Sequence, residues 1–261
     1  MKRKPDSHKG ENGTVAVIGG SLHQHGAPLF SALAAEASGV DLVYVFVPEA
    51  HNAIAKLASL NFQVHTFGSH DSDEMNDADR NRIIEFLATI DVAVVGPGLA
   101  RTIPALRTLM TLIEEASCPL VLDASALQSN TLAQIKGKHA VLTPHIGELE
   151  RMGQKEKDLP NICKEYACTV LLKSPTDSII GEDGKVTSVP GGNAGLTVGG
   201  TGDALAGLTA GLIAQGMTHE EAAILASKTI KKCGDKLQEA KGFAYTTKDV
   251  INLIPEVLIT L

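Results

Sequence analysis

The stretch that decides the fold is GGNAGLTVGGTGDALAGL, residues 191–208. Its glycines precede an apolar helix, whose first turn carries unpaired backbone N–H groups and the positive end of the helix dipole. A helix end of this kind attracts a phosphate or a developing oxyanion. The stretch does not match GxxxxGK[ST], and Leu205 stands where GxGxxG needs its third glycine. It therefore predicts a phosphate-binding loop that is neither a P-loop nor a Rossmann fingerprint.

Two charged side chains are candidates for chemistry at this loop. Asp203 can accept a proton from a substrate hydroxyl held against a terminal phosphate, and we predict that it is the catalytic base. The alternative is an acid that only complements the helix dipole. Lys173 follows a predicted strand and either neutralises nucleotide phosphates or is a surface lysine with a partly covered stem.

Outward from the loop, short runs rich in valine and isoleucine alternate with amphipathic stretches, which predicts a mainly parallel sheet covered by helices on both faces. An Asp-Gly pair then predicts an antiparallel edge hairpin. The predicted strands are Thr14–Ile18, Leu42–Val47, Phe62–His65, Val92–Val95, Leu120–Asp123, Ala140–Leu142, Thr169–Leu172, Ser178–Ile180 and Lys185–Val189. The predicted helices are Ala27–Ser38, Asp77–Thr89, Pro104–Ala116, Ile146–Met152, Leu159–Tyr166, Gly202–Gln215, His219–Cys233 and Thr247–Leu258, with Gly216 and Gly234 as stops for the sixth and seventh.

The composition limits the classes of function. A chain of 261 residues fits one domain over residues 1–261, and its hydrophobic fraction of 44% supports a large core. The net charge of −7 argues against a nucleic-acid partner. No apolar run is long enough for a signal peptide or a membrane span, so a cytoplasmic location is expected. The four cysteines form no CxxC pair, which predicts buried thiols. A homo-oligomer is expected, as is common for soluble enzymes of this size.

Ligands of open α/β sheets collect beyond the carboxyl ends of the strands. Four predicted strand ends carry sequences that stand out there, and each by itself is also compatible with an ordinary turn or helix cap. They are Gly19-Gly20-Ser21, Gly96-Pro97-Gly98, Asp123-Ala124-Ser125 and Thr143-Pro144-His145-Ile146-Gly147-Glu148.

Taken together these residues resemble the NAD(P)H-hydrate dehydratases, a branch of the ribokinase-like superfamily. The likeness covers nearly the whole chain. It implies a ribokinase-like three-layer αβα sandwich with a mainly parallel central sheet and an antiparallel edge hairpin. The segments that carry it are His8-Lys9-Gly10, Gly19-Gly20-Ser21 with Gly26-Ala27, Gly96-Pro97-Gly98-Leu99, Leu142–His145 with Gly147-Glu148, Leu172-Lys173, Asn193 and Gly199–Asp203.

The resemblance implies a reaction that repairs a cofactor. ADP or ATP phosphorylates the hydroxyl on the hydrated nicotinamide ring of NADH or NADPH, and phosphate then leaves. Asp203 matches the family's catalytic base and also contacts the substrate. Mg²⁺ accompanies the nucleotide, and no dedicated metal site is predicted. The implied nucleotide-binding residues are Lys173, Asn193, Gly199, Gly200, Thr201 and Gly202. The implied substrate-binding residues are Ala27, Gly98, His145 and Glu148. The family's epimerase is expected on a separate chain.

Three segments depart from the family pattern. Asp123-Ala124-Ser125-Ala126-Leu127-Gln128 has Ser and Gln where the family usually has Asp and Asn. His25 replaces an aromatic residue, and Asn193-Ala194-Gly195-Leu196 replaces Asn-Pro-Gly-Met. These departures leave two alternatives: a small-molecule kinase of the same fold that releases a phosphoester, and a non-catalytic nucleotide-binding protein.

Overall fold

The computed structural model describes residues 3–261; residues 1 and 2, with which the predicted domain begins, lie outside the described residues. One sheet runs through the molecule in the order β3-β2-β1-β4-β5-β6-β7-β8-β9. All neighbouring strands from β1 to β7 pair in parallel. The strand β8 pairs antiparallel with β7, and β9 pairs antiparallel with β8. The bounds are β1 Thr14–Ile18, β2 Leu42–Pro48, β3 Phe62–Phe67, β4 Val92–Val95, β5 Leu120–Leu122, β6 Ala140–Leu142, β7 Cys168–Leu172, β8 Asp177–Ile180 and β9 Val186–Val189.

Helices cover both faces of the sheet. Their bounds are α1 Gly26–Ala37, α2 Asn52–Ala58, α3 Asp77–Leu87, α4 Ile103–Glu115, α5 Thr131–Gln134, α6 Ile146–Arg151, α7 Leu159–Tyr166, α8 Thr201–Ala214, α9 His219–Lys241 and α10 Thr247–Leu258. Alternate residues of a strand face opposite sides. Val15 and Val17 of β1 accordingly join a core formed with α1, α8, α9 and α10. Ala16 and Ile18 join a second core formed with α3, α4 and α7.

The predicted three-layer sandwich with its antiparallel edge hairpin is confirmed, and each predicted strand and helix is present. The predicted stop of α9 at Gly234 is wrong, because the helix continues to Lys241. A Cβ on Gly234 would lie 2.8 Å from side-chain atoms of Leu196. This glycine therefore makes room for a packed leucine and does not terminate the helix.

Two short helices were not predicted from the sequence. The helix α2 spans seven residues between β2 and β3, and only Ala55 of its seven residues is buried. The helix α5 has four residues. Neither segment carries enough apolar residues at helical spacing to show a period in the sequence.

Two predictions from composition can be compared with the described residues. Cys118, Cys163, Cys168 and Cys233 are all free and buried, which confirms the prediction of buried thiols. Over residues 3–261, every helix is too short or too polar to cross a membrane.

The contact between α1 and α8 positions the predicted phosphate-binding loop, residues 199–203, which we call the phosphate loop. Gly207 and Gly211 let the two helices approach closely, since a Cβ on Gly207 would lie 1.9 Å from the Ser31 carbonyl oxygen. The Ser31 hydroxyl also donates a hydrogen bond of 2.8 Å to the Asp203 carbonyl oxygen. The first turn of α8 is therefore held against α1.

We expect Gly207→Ala to lower the stability of the fold, although alanine is intrinsically the better helix former. The added methyl group meets a backbone carbonyl that cannot rotate away, so the helices must separate. A loss of about 1–3 kcal/mol is expected for such overpacking, measured as the shift of a denaturant unfolding curve. Gly26→Ala in α1 is the matched control, because its Cβ makes only an ordinary 3.6 Å contact with Phe30. Equal stability of the two variants would contradict the close approach.

Candidate active site

The carboxyl ends of the parallel strands meet at one edge of the sheet. Gly19 follows β1, Gly96 follows β4, Asp123 follows β5 and Lys173 follows β7. Gly96 has a φ of 120°, and a Cβ there would lie 2.0 Å from the Asp123 carbonyl oxygen. Only glycine therefore permits the close approach of the two strand ends.

The phosphate loop exposes backbone donors at the start of α8. Within residues 3–261, the N–H groups of Gly199, Gly200, Gly202 and Asp203 have no hydrogen-bond partner. Gly200 is the N-cap residue with a φ of 97°, and no side chain caps the helix. Several unpaired N–H groups at a positive helix end form an anion-binding site.

Side chains from outside the loop hold it in place. The Thr247 hydroxyl donates a hydrogen bond of 2.8 Å to the Gly199 carbonyl oxygen. The Asn193 Oδ1 atom accepts hydrogen bonds from the Gly195 N–H and the Tyr245 hydroxyl. The predicted nucleotide-binding role of Asn193 stays a prediction, but its side chain already has a structural task. These hydrogen bonds connect the glycine-rich stretch to α10 and to the segment before it.

Lys231 supports the same region from α9. Its side chain is buried, and its ammonium group donates hydrogen bonds to the carbonyl oxygens of Ser174, Pro175 and Gly191. The Asp177 carboxylate lies 3.6 Å away. Because one cation joins the turn after β7 to the start of the glycine-rich stretch, Lys231 fixes the distance between them.

Lys173 lies between two buried carboxylates. Its Nζ atom is 2.8 Å from Asp123 Oδ1 and 3.4 Å from Glu148 Oε2. Burial disfavours its charged form, but the two carboxylates outweigh burial and raise the pKa of Lys173 above its usual value. A Cβ on Gly202 would lie 3.3 Å from the same ammonium group. Lys173 is therefore a charged group beside the phosphate loop and not a surface lysine.

Asp203 lies in the first turn of α8, at this charged cluster. Burial and the negative charge of Asp123 raise its pKa to about 7; Lys173 lowers it and Glu148 raises it further. Perturbed pKa values of this kind concentrate at functional sites. A carboxyl group that titrates near neutral pH can both take up and release a proton, as a general base requires.

The predicted substrate-binding residues line the same edge of the sheet. A Cβ on Gly98 would lie 3.1 Å from the Ala27 Cβ, so these two residues are neighbours. His145 is exposed and caps α6, where its Nδ1 atom accepts hydrogen bonds from the Gly147 and Glu148 N–H groups. The structure brings Glu148 and Asp203 to Lys173, and it places Ala27 beside Gly98.

Sequence reasoning marked Asp123 only as part of the strand end Asp123-Ala124-Ser125 and gave it no role of its own at the site. It did not single out Lys231. Lys231 gave little signal, because one lysine within a long helix is usually exposed. The departure at Ser125 is structural: its buried hydroxyl donates a hydrogen bond of 2.7 Å to the Leu99 carbonyl oxygen and accepts one from Arg101. Gln128 donates a hydrogen bond to the Ser125 carbonyl oxygen.

The structure is that of a ribokinase-like α/β protein, with unpaired backbone N–H groups at the start of α8 and an aspartate beside them whose pKa is raised. The sequence model of the NAD(P)H-hydrate dehydratase family matches residues 15–256. The chain belongs to this family, as the resemblance in the sequence predicted. It is 35% identical to the ADP-dependent (S)-NAD(P)H-hydrate dehydratase of Cenarchaeum symbiosum, over 98% of this chain and 92% of that protein.

Two other similar proteins are a longer bifunctional enzyme and a solved structure with the same fold. The chain is 35% identical to the bifunctional NAD(P)H-hydrate repair enzyme Nnr of Methanothermobacter thermautotrophicus, over 98% of this chain and 51% of that protein. It superposes with a TM-score of 0.82 on the ADP/ATP-dependent NAD(P)H-hydrate dehydratase of Bacillus subtilis, co-crystallised with ATP and Mg²⁺. That pair is 23% identical and covers 99% of this chain and 94% of the other, so this likeness supports the fold alone.

Proposed function

We propose that the chain dehydrates hydrated NADH and NADPH in a reaction driven by ADP or ATP. The observation that carries this proposal is the Asp203 carboxyl group, whose pKa is raised to about 7, beside the unpaired N–H groups at the start of α8. This pairing suits proton removal from a hydroxyl together with phosphoryl transfer. Membership of the family supplies the substrate class.

The hydrate is converted in two stages, phosphorylation and elimination. Asp203 accepts the proton of the ring hydroxyl. The hydroxyl oxygen bonds to the terminal phosphorus of the nucleotide, and the bond between that phosphorus and the rest of the nucleotide breaks. The ring C–O bond then breaks, phosphate leaves with the bonding pair, and the ring nitrogen lone pair forms a C=N bond. The released phosphate or a water molecule then takes a proton from the neighbouring ring carbon. The C–H bonding pair forms the ring C=C bond, and the C=N pair returns to nitrogen, which restores the reduced nicotinamide. The helix end stabilises the charge that develops on the phosphoryl oxygens.

The nucleotide and the hydrated dinucleotide occupy different parts of the sheet edge at which the parallel strands end. We place the terminal phosphates of the nucleotide against the backbone of residues 199–202, next to a cavity of about 160 Å³ lined by residues that include Lys173 and Lys231. The dinucleotide occupies the cleft bounded by Gly98 and His145. A nucleotide-bound crystal with phosphates at residues 19–21 would contradict this arrangement.

Mg²⁺ would arrive with the nucleotide and neutralise charge on its phosphates. Hard cations of this kind prefer oxygen ligands. Asp123 and Glu148 supply carboxylate oxygens, but both contact the Lys173 ammonium group. The nucleotide phosphates would therefore supply oxygen ligands to the ion.

The reaction is tested by incubating the protein with hydrated NADH, Mg²⁺ and either ADP or ATP. We expect reduced-nicotinamide absorbance to reappear together with released phosphate. Stable phosphorylation of another alcohol, with no recovery of absorbance, would identify the kinase alternative. Nucleotide binding with neither product would identify a non-catalytic binding protein.

We expect Gly199→Val to raise the KM for the nucleotide at least about tenfold, a loss of about 1.4 kcal/mol of binding, while the KM for the hydrated dinucleotide changes little. A Cβ at Gly199 enters open space, so the fold accepts the side chain but an approaching phosphate does not. Gly200 is unsuitable for this test, because its φ is 97° and a Cβ there would lie 2.3 Å from Phe30. Equal increases in both KM values would place the nucleotide elsewhere.

Three properties stay predictions from the sequence: the cytoplasmic location, the homo-oligomer and a separate epimerase partner. The bifunctional relatives, which this chain matches over about half of their length, motivate the epimerase prediction. Size-exclusion chromatography with light scattering measures the oligomeric state directly.

A further inference from the structure

A second cluster of polar side chains lies at the opposite edge of the sheet from the candidate active site. His139 directly precedes β6, Glu182 follows β8 and His219 begins α9. Because β8 runs antiparallel to β7, its end and the starts of the parallel strands share this edge. Neither the proposed reaction nor the family resemblance assigns a task to these three residues.

The three side chains have the types and the spacing of metal ligands. One nitrogen or oxygen atom from each lies within 4.8 Å of the others. His219 Nδ1 is 3.5 Å from Glu182 Oε1, and His139 Nδ1 is 3.9 Å from the same oxygen. Tetrahedral ligands about 2.0–2.1 Å from a metal ion lie roughly 3.3 Å apart. Small side-chain rotations would therefore bring the three donors to coordination distance.

A buried threonine with an unmet hydrogen bond lines the same cavity as the three side chains. Thr169 is 1% exposed, and its Oγ1 atom has no hydrogen-bond partner within residues 3–261. It lines a cavity of about 520 Å³ together with the three side chains. Leaving a buried hydroxyl unpaired costs about 1–3 kcal/mol. This unmet hydrogen bond belongs to a residue of the cavity that the three side chains share.

The charge of the cavity suits a cation. Asp183 and Glu220 also line it, and its described lining contains no lysine or arginine. These carboxylates oppose the positive end of the dipole of α9, which by itself would repel a cation. Two imidazoles with one carboxylate favour a divalent transition metal over Mg²⁺, which prefers an octahedron of oxygen atoms.

We propose that His139, Glu182 and His219 bind a zinc-type divalent ion, Zn²⁺, Co²⁺ or Ni²⁺, with at least one coordination position left to water. Such an ion joins the start of β6, the β8–β9 hairpin and α9, three segments that are distant in sequence. The site stabilises the fold from the edge away from the chemistry.

The test uses the full chain, freed of metal with a chelator and without nucleotide. We expect Zn²⁺ to bind in a one-to-one ratio by calorimetry and to raise the Tm, whereas Mg²⁺ at the same concentration does neither. Co²⁺ should add the visible absorption of a four- or five-coordinate site. The His139→Ala/Glu182→Gln double variant should weaken Zn²⁺ binding well beyond about tenfold, because even the partners of metal ligands typically contribute 10–100-fold.

The matched control is His70→Ala, which removes an exposed histidine that follows β3, the far edge strand of the sheet. Its Zn²⁺ affinity should equal that of the wild type. Absence of Zn²⁺ binding, or binding that survives in the double variant, would overturn the proposal. Dehydratase activity is not measured in this experiment, so its outcome is independent of the proposed function.

Discussion

Asp203→Asn is expected to reduce kcat at least about a hundredfold, the usual contribution of a general base. The amide keeps the shape of the side chain but cannot accept a proton at neutral pH. Nucleotide affinity should change little, because the unpaired N–H groups at the start of α8 belong to the backbone. Steady-state assays with hydrated NADH measure kcat, and calorimetry measures the nucleotide affinity.

The raised pKa of Asp203 also predicts a pH dependence. Only the carboxylate is a base, so the activity of the wild type should fall as the pH drops below about 7. The fold favours the protonated form, since the folded pKa exceeds the ordinary value of 3.8. Its contribution to stability is therefore present below pH 3.8 and is lost as the pH rises through about 7. Above pH 7 we expect Asp203→Asn to be at least as stable as the wild type.

Two results would contradict the assignment of Asp203. Turnover of Asp203→Asn within a few-fold of wild type would leave only an interaction with the helix dipole. A Tm well below that of the wild type above pH 7 would show that the carboxylate is structurally required. Asp235→Asn is a useful comparison, because Asp235 contacts Gly192 and Asn193 of the glycine-rich stretch but not the charged cluster.

Lys173→Met is expected to impair both stability and activity. It leaves Asp123 and Glu148, which are 2% and 5% exposed, without their shared cation. Breaking a buried ion pair by removing one partner costs about 3–5 kcal/mol. Denaturant unfolding measures this loss. Because Lys173 lowers the pKa of Asp203, its removal should also shift the acid limb of the pH–rate profile to higher pH.

Two variants separate these effects. Lys155→Met removes an exposed lysine and should match the wild type in both measurements. Lys173→Met leaves the carboxylates of Asp123 and Glu148 without a cation. The double variant Lys173→Met/Asp123→Asn removes one of these two charges, so it should recover part of the stability without recovering nucleotide affinity. If Lys173→Met retains the stability and the pH–rate profile of the wild type, then Lys173 does not couple the two carboxylates to Asp203.

Local patterns in the sequence were sufficient to predict the architecture, and they drew attention to the glycine-rich stretch before α8. Strand and helix periods, the Asp-Gly turn and the glycine-rich stretch depend on backbone sterics and on neighbours a few residues away. Asp203 could be singled out for the same reason, because it follows the loop directly. The length of α9 could not be predicted, because Gly234 accommodates Leu196, a contact between residues that are distant in sequence.

The sequence by itself determined the family and the layered sheet, and it predicted Asp203, at the start of α8, as the catalytic base. Only the tertiary structure decided that Lys173 bridges Asp123 and Glu148, and that this cluster and burial together bring the pKa of Asp203 to about 7. The physical reason is the range of the interactions. Turns and periods are set within a few residues, whereas charge coupling and burial depend on strand ends that the parallel sheet brings together from across the chain.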